Sequence, residues 1–472
     1  MYDGLIAILP EMIISAMSCF ILILDLFLSK NKKNIVYYLA QITLLSIIVL
    51  SFQILKVPHG SILYGAFIFD FNTLLYKFII VLGAFFIFAY SKKSLINIDL
   101  FKGEYFVLCM LSILGMMIMI SSGNFLTLYL GLELLSLPIY SLIIMNKSYV
   151  SSEASMKYFI MGSIASGIFL FGVSLTYGMT GDIDFNIVAH TIYDDEVFSN
   201  ITAQYGLAFI IAGLVFKFGA VPFHMWVPDV YEGSPITITT FIGTIPKIAA
   251  LGMAYRIIDT FAGLNSEAEF FFIVIGGVSL LLGNIFAMSQ VDIKRMLAYS
   301  TIAHVGFIFL GFAGCDTVDF GAVTFYIFIY VLSSLCAFGI IIMMSNKNKE
   351  ANLISDFNGL GINYPTLGII MMLALFSLAG IPPTAGFFAK FFVVKSIISY
   401  GLIEVALLAV LMSVLGSYYY LNVIKVMFFN SNVEQYTKYD GMTNAGYLLL
   451  IINGILILLL GLFPEYFFLV CA

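Results

Sequence analysis

Charge is what this chain of 472 residues has least of. Asp, Glu, Lys and Arg make up 10% of it, against about 25% in soluble domains. That shortage, with a hydrophobic share of 61%, excludes an ordinary water-soluble protein. Cysteine is also scarce. Cys19, Cys109, Cys315, Cys336 and Cys471 are scattered and form no C-x-x-C pair that could hold a cluster or a zinc ion, so they read as small core hydrophobes. The four histidines, His59, His190, His224 and His304, are too few and too dispersed for bis-histidine haem ligation. No G-x-G-x-x-G or Walker A run is present, so no nucleotide site is visible. Any redox chemistry linked to this chain uses cofactors held elsewhere.

What the chain does contain is apolar runs of about 20 residues, the length that crosses about 30 Å of hydrocarbon as a helix. They fall near 5–29, 35–55, 71–90, 105–122, 124–145, 156–178 and 206–231, then near 235–258, 268–290, 293–314, 320–344, 365–400, 402–428 and 445–470. The expectation is an all-α polytopic membrane protein with 14 spans. The first run has no basic start and no small-residue cleavage site, and it contains Pro10, Glu11 and Asp25, so it reads as a span and not as a signal peptide.

Inner loops of membrane proteins carry an excess of Lys and Arg. With the amino terminus outside, thirteen of the 21 basic residues fall in inner loops and only Lys56 and Arg256 in outer ones. Six more, Lys77, Lys157, Lys217, Lys247, Lys390 and Lys395, fall within spans. The outer segment GDIDFNIVAHTIYDDEVFSN is acidic, as this orientation permits.

Two spans are interrupted, one at Val221-Pro222 and one at Gly380-Ile381-Pro382-Pro383. Proline removes an N–H and crowds the preceding turn, so each break frees backbone groups that need protein or water as partners. The interrupted span is the fourth of spans four to eight and again the fourth of spans nine to thirteen. A five-span unit crosses the membrane an odd number of times, so two consecutive copies are inverted relative to one another. The division expected is 1–104 as an N-terminal three-helix segment, 105–260 and 261–428 as the repeats, and 429–472 as a C-terminal helix.

A lysine at the bilayer centre costs roughly 2.5 to 3.5 kcal/mol on insertion scales, so intramembrane charges are candidates for function. Glu133, Lys157, Lys217, Lys247, His304 and Lys390 supply titratable groups to spans five, six, seven, eight, ten and twelve. Such a series is what proton relay across hydrocarbon requires. Desolvation disfavours the charged form of an amine and a nearby carboxylate favours it, so moving an acid relative to a lysine switches the lysine between holding and releasing its proton. Satisfied ion pairs, a snorkelling Lys157 and a core-packed His304 are the competing structural readings. Lys390 and Lys395 lie on different faces of one helix, so only one of them is expected to be central. Lys77 and His224 read as packing or interfacial residues.

The stretches FKFGAVPFHMWVPDVYEGSP, QVDIKRMLAYSTIAHVGF and SLAGIPPTAGFFAKF resemble the antiporter-like membrane subunits of respiratory complex I, specifically the subunit N family of NADH-quinone oxidoreductase. The resemblance runs over nearly the whole chain. The N branch is indicated by PFHMWVPDVYEGSP, by lysine in GFFAKF where the M branch has glutamate, and by the absence of the long C-terminal extension of the L branch. The resemblance implies Glu133 and Lys217 as a charge pair, Lys157 as the span-six lysine, Lys247 as the central relay lysine and Lys390 as the terminal one, with Lys395 an additional possibility. It also implies that no cofactor is bound by this chain, NADH, FMN, iron–sulfur clusters and quinone being served by other subunits. The implied partners are an M-like antiporter subunit, membrane subunits nearer the peripheral arm, lipid and protons. The implied location is a bacterial inner membrane with the amino terminus on the periplasmic side. A subunit of a cation/proton antiporter and a scaffold without an ion path are the rival functions.

Overall fold

The computed structural model describes residues 2–29, 32–55, 57, 59–192, 201–313, 320–347, 350–430 and 441–467, with backbone alone for 2–5 and 265–267. Lys30, Lys56, Lys349, Lys438, Cys315, Cys471 and residues 193–200 of the acidic segment lie outside the described residues.

Among the described residues, 13 helices are long and apolar enough to cross a membrane. The remaining expected crossing is a pair of shorter helices, Pro365–Ala379 and Ala385–Ser399, separated by the second break. The protein is therefore an all-α polytopic membrane protein. Its chain forms two compact units that interleave in sequence, one made of residues 1–88, 99–217 and 245–268, the other of 89–98, 218–244 and 269–472.

The first unit contains α1 (Tyr2–Phe27), α2 (Asn34–Ile54), most of α3 (Phe71–Asn97), α4 (Gly103–Ile120), α5 (Phe125–Ile143), α6 (Tyr149–Thr180), a short α7 (Phe185–Ile192) and α8 (Ile201–Phe218) up to Lys217. A hairpin of β1 (Gly60–Ile62) and β2 (Phe67–Phe69), which hydropathy does not reveal, joins α2 to α3. The tightest packing is between α4 and α5. A Cβ on Gly115 would run into the backbone at Leu135, and one on Gly131 into the backbone at Met119. Small residues let two membrane helices approach this closely because dispersion and interhelical hydrogen bonds, with no hydrophobic drive, hold them. The Ser112 hydroxyl donates to the Leu135 carbonyl at 3.0 Å across the same contact. Asn124 caps α5, its side chain accepting from the Thr127 N–H at 2.8 Å. The register of α5 is thus fixed at both ends of the stretch that carries Glu133.

The second unit contains α9 (Trp226–Gly233), α10 (Ile236–Gly243), α12 (Asn265–Met288) from Glu269 onward, α13 (Ile293–Ala313), α14 (Gly321–Met344), α15 (Pro365–Ala379), α16 (Ala385–Ser399), α17 (Ile403–Phe429) and α18 (Asn444–Leu462). Here too glycines set one critical approach. A Cβ on Gly283 would meet the backbone at Ala303, and one on Gly306 the backbone at Gly276 and Leu280. This contact of α12 with α13 holds His304 in place.

Span eight was expected to be continuous, but it consists of α10 and α11 (Ile245–Thr260), separated at Thr244. Pro246 explains the interruption, since it supplies no N–H and its ring crowds the carbonyl four residues earlier. Arg256, expected in an outer loop, is instead buried on α11. The outward faces of α1, α2, α6, α17 and α18 expose large apolar side chains such as Phe20, Phe52, Phe171, Val414 and Ile455, the composition a lipid-facing surface requires.

Candidate functional site

The first helix break follows Lys217 directly. α8 ends at Phe218, and Gly219 takes φ +72°, a conformation that side-chain-bearing residues rarely adopt. Val221-Pro222 is cis, and the freed Val221 N–H donates to the Ser279 hydroxyl at 3.0 Å within the second unit. The second break has the same parts in the same order. α15 ends at Ala379, Gly380 follows with φ +81°, and Pro382-Pro383 comes next, also cis. The Gly380 and Ile381 N–H groups turn back to the Phe376 carbonyl. Lys390 then donates to the Ala379 carbonyl at 2.9 Å, satisfying an acceptor that the end of α15 leaves without a helical partner.

In the first unit, buried Lys217 reaches α5. Its ammonium donates to the Ser136 hydroxyl at 2.5 Å, and that hydroxyl donates to the Leu132 carbonyl at 2.5 Å. Glu133 lies three positions before Ser136 on the same helix face. Its carboxylate accepts from the Ser166 hydroxyl of α6 at 2.5 Å and interacts electrostatically with Lys217. Glu133 and Lys217 are not in direct ionic contact; Lys217 is held by Ser136 and Glu133 by Ser166. Lys247 lies in the first turn of α11, 1% exposed.

In the second unit His304 stands between two phenols. Its Nδ1 is 2.7 Å from the Tyr326 hydroxyl and its Nε2 is 3.1 Å from the Tyr420 hydroxyl, which also pairs with Ser300. Thr301 and Tyr330 pair at 2.9 Å one position along, and the Tyr330 hydroxyl donates to the Gly243 carbonyl at 3.0 Å. Lys390 donates to Ser413 at 2.9 Å as well as to Ala379, and its ammonium is 5.2 Å from the Phe307 ring centre. Two cavities of about 10 Å³ each flank this group, room for roughly one water apiece. Both are lined by His304 and Lys390, one also by Asn284 and Ser413, the other by Tyr326 and Ser333.

Of the remaining expected residues, Lys157 pairs with Glu153 one turn earlier at 2.9 Å, both side chains being nearly half exposed. Lys395 is exposed. The partners that sequence reading missed are hydroxyls: Ser136, Ser166, Ser413, Tyr326 and Tyr420. The one available signal is Tyr326 and Tyr330 at i, i+4 in an otherwise apolar span. A further ionic cluster ties two of the quoted sequence stretches together. Arg295 contacts Asp229 at 3.2 Å and Glu232 at 2.5 Å, while buried Lys294 contacts Glu350 at 3.1 Å and the Ser234 carbonyl at 3.1 Å. Among the described residues no group of three or more His, Cys, Asp or Glu side chains could hold a metal ion.

Broken apolar helices, with Lys217 buried at one break and Lys390 partly buried beyond the other, define an antiporter-like, multi-pass membrane protein. A family profile described as NADH:quinone oxidoreductase/Mrp antiporter, TM, matches residues 122–416. NADH-quinone oxidoreductase subunit N of Ruthia magnifica subsp. Calyptogena magnifica is 42% identical, over 97% of this chain and 95% of its own length. The protein of the same description from Thioalkalivibrio sulfidiphilus is 41% identical over 97% and 95%. A chain in the structure of respiratory complex I from Thermus thermophilus with bound aureothin superposes with TM-score 0.82 at 27% identity, covering 97% of each chain. The chain belongs to the NADH-quinone oxidoreductase subunit N family and functions as a proton-translocating membrane subunit of that complex, in assembly with other membrane subunits.

Proposed function

We propose that protons move through this subunit by way of Glu133, Lys217, Lys247, His304 and Lys390, with Lys217 as the loading site. Movement of Glu133 relative to Lys217 alters the electrostatic cost of the ammonium and so sets whether Lys217 holds its proton or hands it on towards Lys247. His304 and Lys390 form the discharge side. Either ring nitrogen of His304 has a phenol to exchange with, and water in the adjoining cavities bridges to the lysine. Lys157, on a half-exposed face, and Lys395, also exposed, would join from the periphery. The observation that carries the reading is that Glu133 and Lys217 each bond a serine and not each other, which leaves acid and amine electrostatically coupled without a contact that locks both in the charged state.

The helix breaks support a division into inverted repeats at 105–260 and 261–428, between a three-helix segment (1–104) and a C-terminal helix (429–472). The basic-residue bias supports a bacterial inner-membrane location with the amino terminus on the periplasmic side. NADH oxidation and quinone reduction, with FMN and iron–sulfur clusters, take place in other subunits. An M-like subunit and the membrane subunits nearer the peripheral arm are the neighbours. The test is NADH-driven proton uptake by vesicles carrying the intact complex with Lys217→Ala or Lys247→Ala. Loss of uptake with assembly preserved is expected; normal pumping by both variants would leave this subunit a scaffold.

A further inference from the structure

Within the first unit, one pair of buried charges has no part in the path above. Glu11 on α1 and Lys77 on α3 are 6% and 4% exposed and stand 2.5 Å apart. Beyond that contact, neither carboxylate oxygen nor the ammonium has a hydrogen-bond partner among the described residues. Over the ammonium lies the ring of Phe67, 4.5 Å from it, on the β1–β2 hairpin. The hairpin packs with Ala7, Ile54 and Leu74 into an apolar cluster. The amino ends of α1 and α3 flank that hairpin on one membrane face. At 1.5 Å per residue Glu11 is roughly 14 Å from the first residue of α1 and Lys77 roughly 9 Å from the first residue of α3, and their contact puts the two groups at one depth.

A second ion pair lies between this pair and the face, and it is built differently. Arg256 contacts Asp70 at 2.8 Å, and Thr73 donates to Asp70 from both its backbone and its hydroxyl while accepting from Arg256 at 3.0 Å. Lys77 interacts electrostatically with Asp70 and Arg256, and Tyr255 and Asp259 complete the titratable groups around them. Arg256 is nine residues beyond Lys247 on α11, roughly 14 Å along the axis.

The contrast between the pairs is chemical. A guanidinium does not release its proton, so Asp70 and Arg256 form a permanent clamp, braced by the hydrogen bonds through Thr73. An amine and a carboxylic acid can both become neutral by one proton transfer. For a buried pair without supporting hydrogen bonds, that transfer removes two desolvation penalties at once. We infer that Glu11 and Lys77 form a further proton-exchange site of the known reaction, serving the membrane face at which α1 begins. In the step, the Lys77 ammonium gives its proton to the Glu11 carboxylate, leaving an amine and a carboxylic acid. Glu11 then releases that proton to water at the face, and the Lys77 amine takes the next one from the interior of the unit, on the side of Lys247. The inference rests on the relay reading above.

A clamp and a relay respond differently to Lys77→Arg, which keeps the positive charge and the ion pair but cannot deliver a proton. In membrane vesicles carrying the whole complex, Lys77→Arg is expected to assemble, to oxidise NADH, and to take up fewer protons per NADH oxidised. Wild-type uptake by Lys77→Arg overturns the inference. The Glu11→Gln/Lys77→Gln double variant serves if the larger guanidinium disturbs folding, because it keeps a hydrogen-bonded pair and removes the exchangeable charge. It too is expected to lose uptake, and normal uptake again overturns the inference. Lys247→Ala in the same vesicles separates the two failures: if it abolishes uptake while the Lys77 variants are normal, only this site falls, and if all of them pump normally the relay reading falls with it.

Discussion

Individual side chains here are distinguished by whether their charge can change. Glu133→Gln keeps the size of the side chain and its contact with Ser166 while removing the electrostatic control of Lys217. It is expected to depress NADH-driven proton uptake strongly with little change in assembly, and wild-type uptake by Glu133→Ala would refute the assigned role. Tyr326→Phe with Tyr420→Phe should slow uptake while sparing the amount of complex in the membrane, because the rings still fill their sites and only the hydroxyls flanking His304 are lost. Asp70, at the membrane face, is a fixed charge. Its burial acts to raise its pKa, but the Arg256 guanidinium and the Thr73 hydrogen bonds outweigh that and hold the carboxyl below its ordinary value. A depressed carboxyl contributes stability that is present above the unfolded value and lost as pH falls through the folded one. Thermal melting of the solubilised complex should therefore drop below about pH 4, with a smaller drop in Asp70→Asn.

The helices show where hydropathy is informative and where it fails. Gly115→Leu is expected to disrupt the contact of α4 with α5, since even a Cβ meets backbone there; overpacking of this kind costs about 1–3 kcal/mol or more, to be read as a lower melting temperature or lost assembly. Gly380→Ala combines a left-handed φ with a Cβ that would press on the Lys390 stem. The backbone strain costs about 1–2 kcal/mol, and proton uptake should fall further than melting temperature does, because the displaced group is the lysine itself. Span positions, both proline breaks and the lysines beside them were legible because each leaves a local mark in the sequence: a long apolar run, a proline in it, a cation where cations are costly. The break at Thr244 was marked only by Pro246, and a lone proline in a membrane helix does not distinguish a kink from a gap. The β1–β2 hairpin is only three residues a side. Glu11 could not be matched with Lys77 from sequence, since their pairing depends on where α1 and α3 meet in the fold, and the serines that hold Lys217 and Glu133 and the tyrosines that flank His304 are too common in spans to stand out.

Taken as a whole, the molecule holds two compact units, each with its own lysine beside a helix break and its own hydroxyl partners. Removing Lys217 or Lys390 should therefore impair pumping through different sets of groups, while the ionic cluster of Asp229, Glu232, Arg295, Lys294 and Glu350 ties α9 and α10 to α13 in the second unit. The cavities beside His304 and Lys390 have a further consequence. A void sized for a single guest holds one water or none, and the side chains that line it, His304, Phe307 and Tyr420 among them, set how readily it fills. On the proposed path, the occupancy of these two voids would therefore govern proton transfer between His304 and Lys390.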